Sequence, residues 1–419
     1  MRLELATYPV SDVRLVEGPE RSMYREGVLA VNRQALCELL RQDPRLAEVS
    51  VDVASPGEAV RVAPVHDVIE PRIKAQGPGM VFPGVAGRPL TTVGTGRTNR
   101  MSGVAVVECA PLPGWGGTPG RDRHPGFYLD TQGPAAVAPY DGLVLVCVLA
   151  VPREDLSLRD RSEAAWTAAL RVALHLAETT LEAAPAQVET FELTPVRAEL
   201  PRIVYLPHYN SPQHYGGRPD AFGLSIYGNT SLTLPWWLHP NEYLDGAVAR
   251  LGTWVHQNQP QVLDLARAHG DSLAFAGIIA QRTRWTSEAE KQLTAQQTAK
   301  MAKMVGATGA LVTWDYGGND NVEVAYTLEA CEALGIKTVF LTHEQGPPPT
   351  SAGTMIFLPA AADAVVSTGT LLLTEVTKPA RIIGFDDGRG PLDFAVSGTR
   401  EVFGVDDRYG LRNLSIEEY

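Results

Sequence analysis

From residue 202 onward, short apolar runs alternate with segments of helical periodicity, and this alternation limits the folds open to the chain. The runs typical of strands are 202–206, 273–280, 310–314, 338–342 and 364–366. The segments typical of helices are 241–251, 261–268, 288–305 and 322–334. Strands joined by helices of this length predict βαβ units, because parallel strands need a long crossover connection. We therefore predict a doubly wound, mostly parallel, Rossmann-like α/β domain over residues 200–419.

Residues 1–195 show a different pattern and predict a β-rich domain. Apolar runs at 28–31, 60–65, 104–107 and 143–151 are separated by clusters of Gly and Pro, which is typical of strands joined by turns. One long helix fits 159–182. The boundary between the two domains is expected at Pro185, Pro195 and Pro201. A length of 419 residues suits a chain of two or three domains.

The charge and cysteine content exclude several classes of protein. Lys and Arg number 36 against 48 Asp and Glu, a formal net charge of −12, which argues against nucleic acid and against an anionic membrane surface as partners. The four cysteines (Cys37, Cys109, Cys147 and Cys331) lie far apart with no C-x-x-C motif, so neither a disulfide framework nor a cysteine zinc site is indicated. The longest apolar run, 143–151, is too short to span a membrane. We expect a cytoplasmic protein.

Polar residues follow each of the predicted parallel strands. In an open parallel sheet, ligands bind beyond the carboxyl ends of the strands, so these residues are candidates for binding a substrate. They are His208, His214, Asp315, Asn319, His343, Glu344 and Thr368. The alternative is that these loops are polar only because loops lie at the surface.

The segment from residue 236 to 258 has the most unusual local composition in the chain, WWLHPNEYLDG followed closely by WVHQN. His239 precedes a predicted helix start, and Glu242 and Asp245 are spaced to share one helix face. With His256 they form a candidate catalytic set, which can act as general acid and base or bind a divalent metal. No H-E-x-x-H motif supports the metal. The structural alternative is that the carboxylates cap a helix and the histidines are hydrogen-bonded parts of the fold.

Several motifs, taken together, resemble one family. They are the opening MRLEL, PVHDVIEPR (64–72), GPG (77–79), FPGV (82–85), TVGTG (92–96), HPNEYLDGA (239–247), VHQNQP (255–260) and ADAVVSTG (362–369). In the same order, from residue 1 to about 384, they are similar to the proprotein (α/β) subunit of component B of glycine, sarcosine and betaine reductases.

The resemblance implies a particular chemistry and a partner. Proproteins of that family cleave themselves at an internal cysteine to make a pyruvoyl group, which holds the substrate amine as a Schiff base. A second, homologous subunit supplies a selenocysteine or cysteine that displaces the amine. The resemblance therefore implies a small amino or carboxylate substrate, a thiol- or selenol-bearing partner subunit and a hetero-oligomer.

This chain departs from the family pattern at the processing site. The family's cysteine lies between the D-G-A and V-H-Q-N steps, whereas residues 246–256 here contain neither Cys nor Ser. Thr253 carries the one hydroxyl in that stretch, and threonine would not give a pyruvoyl group. The loop that follows Trp314 resembles the place where the partner carries its nucleophile, and it has no cysteine. We expect no pyruvoyl group, no self-cleavage and no nucleophile from this chain.

Three functions are compatible with these observations. The first is an enzyme subunit of a component B-like reductase complex that acts, without a pyruvoyl group, with a Cys- or Sec-bearing homologous partner. The second is a non-catalytic scaffold or regulatory subunit of such a complex. The third is a stand-alone metal-dependent lyase or hydrolase that uses the histidines from His208 to His256. The polar segments around His239 and His256 favour the first, since a scaffold does not need them.

Overall fold

The structure of the protein is a computed structural model. The structure describes residues 1–18, 21–112, 127–209, 225–228, 235–249, 252–283, 287–315, 320–344, 359–362, 364–370, 374–385, 392–399, 402–405 and 408–411.

Strands dominate the first 195 residues. They are β1 (Arg2–Pro9), β2 (Asp12–Val16), β3 (Met23–Arg25), β4 (Val28–Asn32), β5 (Leu46–Ala54), β6 (Val60–Ile69), β7 (Arg72–Gln76), β8 (Gly96–Ser102), β9 (Val104–Cys109), β10 (Phe127–Asp130), β11 (Val144–Pro152) and β12 (Gln187–Glu192). The helices of this region are α1 (Arg33–Arg41) and α2 (Leu158–Glu178). The strands predicted at 28–31, 60–65, 104–107 and 143–151 are confirmed, and so is the long helix, which ends at Glu178.

The sheet β10–β6–β9–β11–β5 forms the centre of this β-rich part. Its two faces follow the alternation of side chains along a strand. In β11, Val146 and Val148 pack in the core that contains Trp166 of α2, whereas Leu145 and Cys147 pack in the core on the opposite face. A second sheet, β12–β1–β8–β7, and the small sheet β2–β4–β3 complete the region.

The rest of the chain mixes strands and helices. The strands are β13 (Arg202–Tyr209), β14 (Ser225–Ile226), β15 (Trp236–Leu238), β16 (Val248–Ala249), β17 (Ala274–Arg282), β18 (Gly309–Trp314), β19 (Lys337–Glu344), β20 (Val365–Thr370), β21 (Thr374–Val376), β22 (Arg381–Gly384) and β23 (Val396–Thr399). The helices are α3 (Pro240–Glu242), α4 (Thr253–Gln257), α5 (Pro260–Ala268), α6 (Glu288–Met304) and α7 (Asp320–Ala333). Among the residues described, no helix has both the length and the apolar character needed to cross a membrane.

The main sheet of this part runs in the order β15–β17–β13–β18–β19–β20. The neighbours from β17 to β20 pair in parallel, and β15 pairs antiparallel to β17 at one edge. The fold is therefore a mixed α/β fold with several sheets. Because the five strands from β17 to β20 are parallel, their carboxyl ends lie along one edge of the sheet, where the polar residues were predicted.

The helix predicted at 241–251 is confirmed as far as Ala247, but it is π-helical from Tyr243 and is wrong beyond Ala247. Helix α3 ends at Glu242, a π-helical turn covers Tyr243–Ala247, and β16 follows. The reason is Gly246, whose φ of +86° takes the chain out of the helical path. A Cβ at this glycine would lie 2.8 Å from Cγ1 of Val81, so the turn also packs too closely for a side chain.

The C-terminal segment returns to the β-rich part. Strand β22 pairs in parallel with β6, so the chain beyond residue 376 crosses the boundary that the prolines predicted. Buried Arg61 of β6 holds this segment: it pairs with Asp130 and donates to the carbonyl oxygens of Thr377, Leu392 and Phe394. The division into domains 1–195 and 200–419 stays a prediction.

Candidate active site

Strand β13 presents two different faces at its carboxyl end. Tyr205 and Tyr209 pack in the core on the α5 side of the sheet, whereas Val204 and Leu206 pack in the core beneath α6 and α7. Since side chains alternate along a strand, His208 lies on the α6 and α7 side, opposite the two tyrosines.

On the α5 side, three tyrosines contact one histidine, and a fourth tyrosine, Tyr205, lies beside them. We call Tyr205, Tyr209, Tyr243, His256 and Tyr409 the Tyr–His cluster, and all five are buried. Oη of Tyr209 lies 2.5 Å from Oη of Tyr243, which lies 2.9 Å from Nδ1 of His256. The rings of Tyr209 and Tyr409 each have their centroid 5.8 Å from that of the imidazole. Because a hydroxyl both donates and accepts, Tyr209, Tyr243 and His256 form a chain that can pass a proton.

Burial sets the protonation states in the cluster. It lowers the pKa of His256 to about 3, with a further contribution from the charge of Arg408. It raises the pKa values of Tyr209, Tyr243 and Tyr409 well above their usual value. At neutral pH the imidazole is therefore neutral and the phenols are protonated. The chain of hydrogen bonds therefore holds no buried charge at neutral pH.

Two polar atoms beside this chain have no hydrogen-bond partner among the described residues. They are Oε1 of Gln259 and Oη of Tyr409, and both side chains are buried. The Gln259 amide is held from its other end, where Nε2 donates to Oη of Tyr205 at 2.8 Å. The great majority of buried polar groups in proteins have a hydrogen-bond partner. The hydrogen-bonding capacity of these two atoms is therefore not used by the described residues.

His239 lies apart from the cluster, at the start of α3. Its Nδ1 accepts the N–H of Asn241 at 3.1 Å, and its own N–H donates to Oε2 of Glu242 at 2.7 Å. Burial lowers the pKa of His239 to about 4. In the described part of the chain, no hydrogen bond or ring contact joins His239 to His256. His239 and Glu242 therefore cap the start of α3, as in the structural alternative.

The two carboxylates predicted to share a face both lie against the segment 93–98. Glu242 accepts from Oη of Tyr227 at 2.6 Å, and that oxygen accepts the N–H of Val93. Asp245 is fully buried and has three donors: Nζ of Lys74, the hydroxyl of Thr98 and, at 2.7 Å, the N–H of Gly94. These bonds hold the π-helical turn, which carries Tyr243, against the β-rich part.

Asp67 of β6 holds the start of α4, which carries His256. Its Oδ1 accepts the N–H groups of Gly252 and Thr253 at 3.0 and 2.8 Å. Its Oδ2 accepts the hydroxyl of Thr253 and, at 3.0 Å, Nε1 of Trp166. The carboxylate therefore binds the N–H groups that a helix N-terminus leaves free. The φ of Gly252 is +90°, which leads the chain into this contact.

Arg72 of β7 binds the other end of α4. It pairs with Glu70, and it donates to the carbonyl oxygens of Leu244 and Gln257 at 2.7 and 2.8 Å. Arg72 and Glu70 are both buried. The motif 64–72 thus positions the segment 244–258 from two directions, so that Tyr243 and His256 meet Tyr209.

The remaining predicted site residues lie along the carboxyl edge of the sheet or outside the residues that the structure describes. Asp315 follows β18 on the cluster's side, and its charge raises the pKa of Tyr409. His343 lies at the end of β19, with its ring 5.8 Å from that of Trp314. Thr368, in β20, donates to the carbonyl of Thr342 at 3.4 Å. Outside the described residues or side chains lie His214, Asn319 and the side chain of Glu344.

His208 and His256 do not share a site. His208 is on the opposite side of the sheet from His256, and neither of its ring nitrogens has a hydrogen-bond partner among the described residues. No group of three or more His, Cys, Asp and Glu side chains suited to a metal occurs in the part of the chain that the structure describes. A metal shared by His208 and His256 is excluded by their positions on opposite faces.

Comparison with known proteins identifies the family. The family model for glycine/sarcosine/betaine reductase component B subunits matches residues 1–400. The chain belongs to this component B family. The resemblance seen in the sequence motifs is confirmed, and the subunits of this family are parts of reductase complexes.

Curated component B subunits are similar over most of their length. The sarcosine reductase complex component B subunit alpha of Peptoclostridium acidaminophilum is 30% identical over 364 residues, 82% of this chain and 80% of that protein. The glycine reductase complex component B subunits alpha and beta of Acetoanaerobium sticklandii are 30% identical over 403 residues, 92% and 89% of the two chains. The betaine reductase complex component B subunit alpha of P. acidaminophilum is 31% identical over 391 residues, 88% and 85%. No solved structure matches.

The component B motifs pointed to His256 but not to the tyrosines around it. Tyr205 and Tyr209 are four residues apart in a predicted strand, so their shared face was available as a signal. Tyr243 lies inside the HPNEYLDGA motif. Tyr409 comes from the C-terminal segment, and nothing in its local sequence indicates that it reaches the cluster.

Proposed function

We propose that this chain is an enzyme subunit of a component B-like reductase complex that binds a small amino or carboxylate substrate at the Tyr–His cluster. The observation that carries the proposal is the pair of unpartnered buried atoms, Gln259 Oε1 and Tyr409 Oη, beside a chain able to pass a proton. A purely structural cluster would be expected to satisfy these atoms. The strand order supports the position, since 2-1-3-4-5 is one of the common doubly wound orders and places ligands at the carboxyl edge between β13 and β18.

In this proposal His256 is the acid–base group. The hydroxyls of Tyr243 and Tyr209 behind it relay the proton. His239, Glu242 and Asp245, which the sequence placed in the same catalytic set, act by holding the π-helical turn through the bonds described above.

The residues present do not fit the pyruvoyl group that the family implies. Thr253 stands in the processing segment, and its hydroxyl is buried and bonded to Asp67. The four cysteines lie elsewhere: Cys37 in α1, Cys109 in β9, Cys147 in β11 and Cys331 in α7. We therefore propose an enzyme without a pyruvoyl group, whose nucleophile comes from a homologous Cys- or Sec-bearing partner. All four cysteines are free and buried, which is in keeping with action in the cytoplasm.

The acid–base assignment is tested by activity. The chain is co-expressed with a Cys- or Sec-bearing component B subunit, and release of ammonia, methylamine or trimethylamine is measured with glycine, sarcosine or betaine and a dithiol. We expect His256→Ala and Tyr243→Phe each to lower turnover by about 10²-fold or more, with the complex intact. The control is Tyr24→Phe, since the Tyr24 hydroxyl donates to the Pro9 carbonyl in the β-rich part, away from the Tyr–His cluster.

Two results would contradict the assignment. Turnover within a few-fold of wild type for both variants would exclude the relay. A complex that forms but gives the same turnover with and without this chain would indicate a scaffold subunit instead.

The absence of a pyruvoyl group is tested by mass. The purified protein should give a single chain with the full mass of 45.2 kDa. Two fragments with a break near residue 253, the second with a blocked N-terminus, would restore the family's pyruvoyl mechanism as the leading account.

A further inference from the structure

A cavity of about 240 Å³ lies between β7, the loop that follows it and α2, and it is separate from the Tyr–His cluster. Two of its lining side chains carry a formal charge, Lys74 and Arg88, and both are positive. None of the described residues that line it carries a carboxylate. The charge at the cavity is therefore opposite in sign to the net charge of the chain, which is −12.

Both cations have unused hydrogen-bond donors. Lys74 has three N–H groups, and it donates to Asp245 and to the carbonyl of Thr95. Arg88 donates to the thioether of Met80 at 3.2 Å, which is a weak acceptor. Among the described residues, Arg88 has no carboxylate partner. Since Asp245 balances the charge of Lys74, the guanidinium of Arg88 is the unbalanced charge beside the cavity.

The rest of the cavity wall is largely apolar. Buried Ile73, Val81 and Leu174 line it together with Met80. A guanidinium matches the planar geometry of a carboxylate, and an apolar wall stabilises a short aliphatic chain by removing it from water. An engineered apolar cavity of about 150 Å³ holds benzene, so a cavity of about 240 Å³ accepts a molecule of that size or somewhat larger.

We propose that this cavity binds a small aliphatic carboxylate, with its anionic end on Arg88 and Lys74 and its chain against Ile73, Val81 and Leu174. The site does not depend on the proposed function, because the cavity shares no lining residue with the Tyr–His cluster.

Isothermal titration calorimetry of the full chain tests the proposal with three probes. Pentanoate carries both a negative charge and an aliphatic chain. 1-Pentanol carries the aliphatic chain alone, and inorganic phosphate carries the negative charge alone. We expect saturable binding of one pentanoate per chain, weakened by salt as expected for partly exposed charges. Pentanol and phosphate should each bind at least about 10-fold more weakly, since each lacks one of the two contacts.

Substitutions locate the site. Arg88→Gln should weaken pentanoate binding at least about 10-fold, whereas Arg41→Gln, at an exposed arginine of α1, should leave it unchanged. Met80→Glu places a carboxylate at the cavity and should weaken binding similarly, whereas Met80→Leu should not. If Arg88→Gln fails to fold, the comparison of Met80→Glu with Met80→Leu shows whether pentanoate binds at this cavity.

The proposal is overturned by any of three outcomes. These are equal affinity of wild type and the folded Arg88→Gln or Met80→Glu variant, pentanol binding as tightly as pentanoate, and phosphate binding more tightly than pentanoate. The last outcome would mark a site for bare oxyanions.

Discussion

At the scale of single residues, the imidazole of His208 is buried and has no hydrogen-bond partner in the part of the chain that the structure describes. Burial lowers its pKa to about 3, whereas an unfolded histidine titrates near 6.5. Between these values the unfolded state binds the proton and the folded state does not, so stability falls as the pH is lowered from about 7 toward 3. At pH 5 this residue alone should cost about 2 kcal/mol of the free energy of unfolding.

The measurement is urea unfolding of wild type and His208→Phe at pH 7 and pH 5. The variant replaces the imidazole by an apolar ring, so it leaves no unsatisfied nitrogen, and we expect it to lose about 2 kcal/mol less than wild type between the two pH values. An equal loss in both proteins would show that His208 is protonated or bonded in the folded state.

At the scale of elements, the start of α4 depends on a carboxylate from a distant strand. Asp67 of β6 accepts both main-chain N–H groups there and the hydroxyl of Thr253. Thr253→Val keeps the shape of the side chain and removes one donor from a buried carboxylate, which should lower the free energy of unfolding by about 2 kcal/mol.

The matched control for this prediction is Thr179→Val at the end of α2. There the hydroxyl bonds a neutral carbonyl, that of Leu176, in a partly buried place, so the cost should be about 1 kcal/mol or less. Thermal unfolding by circular dichroism gives both values. If Thr253→Val lowers the free energy of unfolding no more than Thr179→Val does, the hydrogen bond from the Thr253 hydroxyl to Asp67 does not make the expected contribution to stability.

At the scale of the whole molecule, a buried arginine of the β-rich part binds the segment that completes the cluster. Arg72 bonds Glu70 and two carbonyl oxygens of residues 244–257. Arg72→Met removes a hydrogen bond to Glu70, which keeps Arg100 as a charged partner, and takes this donor away from the buried carbonyls of Leu244 and Gln257. The change should therefore cost about 3 kcal/mol or more. We expect the variant to lower the unfolding midpoint well below that of Arg153→Met, whose exposed pair with Asp155 is the control. Equal midpoints in denaturant would contradict this.

The complex is the second expectation at this scale. A chain that lacks the nucleophile needs a partner to complete its site, and a homologous Cys- or Sec-bearing subunit should cover the carboxyl edge. Analytical ultracentrifugation of the co-expressed proteins should show a stable hetero-oligomer, with an interface of at least about 1,200 Å². Monomers at micromolar concentration, with full activity from this chain alone, would exclude the partner.

The amino-acid sequence by itself determined the elements with strong periodicity and the family. The strands 28–31 and 143–151, the helix α2, and the alternation after residue 202 are local patterns, so periodicity predicts them. The helix predicted at 241–251 ends early, at Ala247, because the left-handed Gly246 packs against Val81, a contact between residues far apart in the chain. The motifs likewise named His256, but its surroundings depend on Asp67 and Arg72 reaching across from β6 and β7 and on Tyr409 returning from the C-terminus. Such contacts carry no local periodicity, and only the tertiary structure could place them.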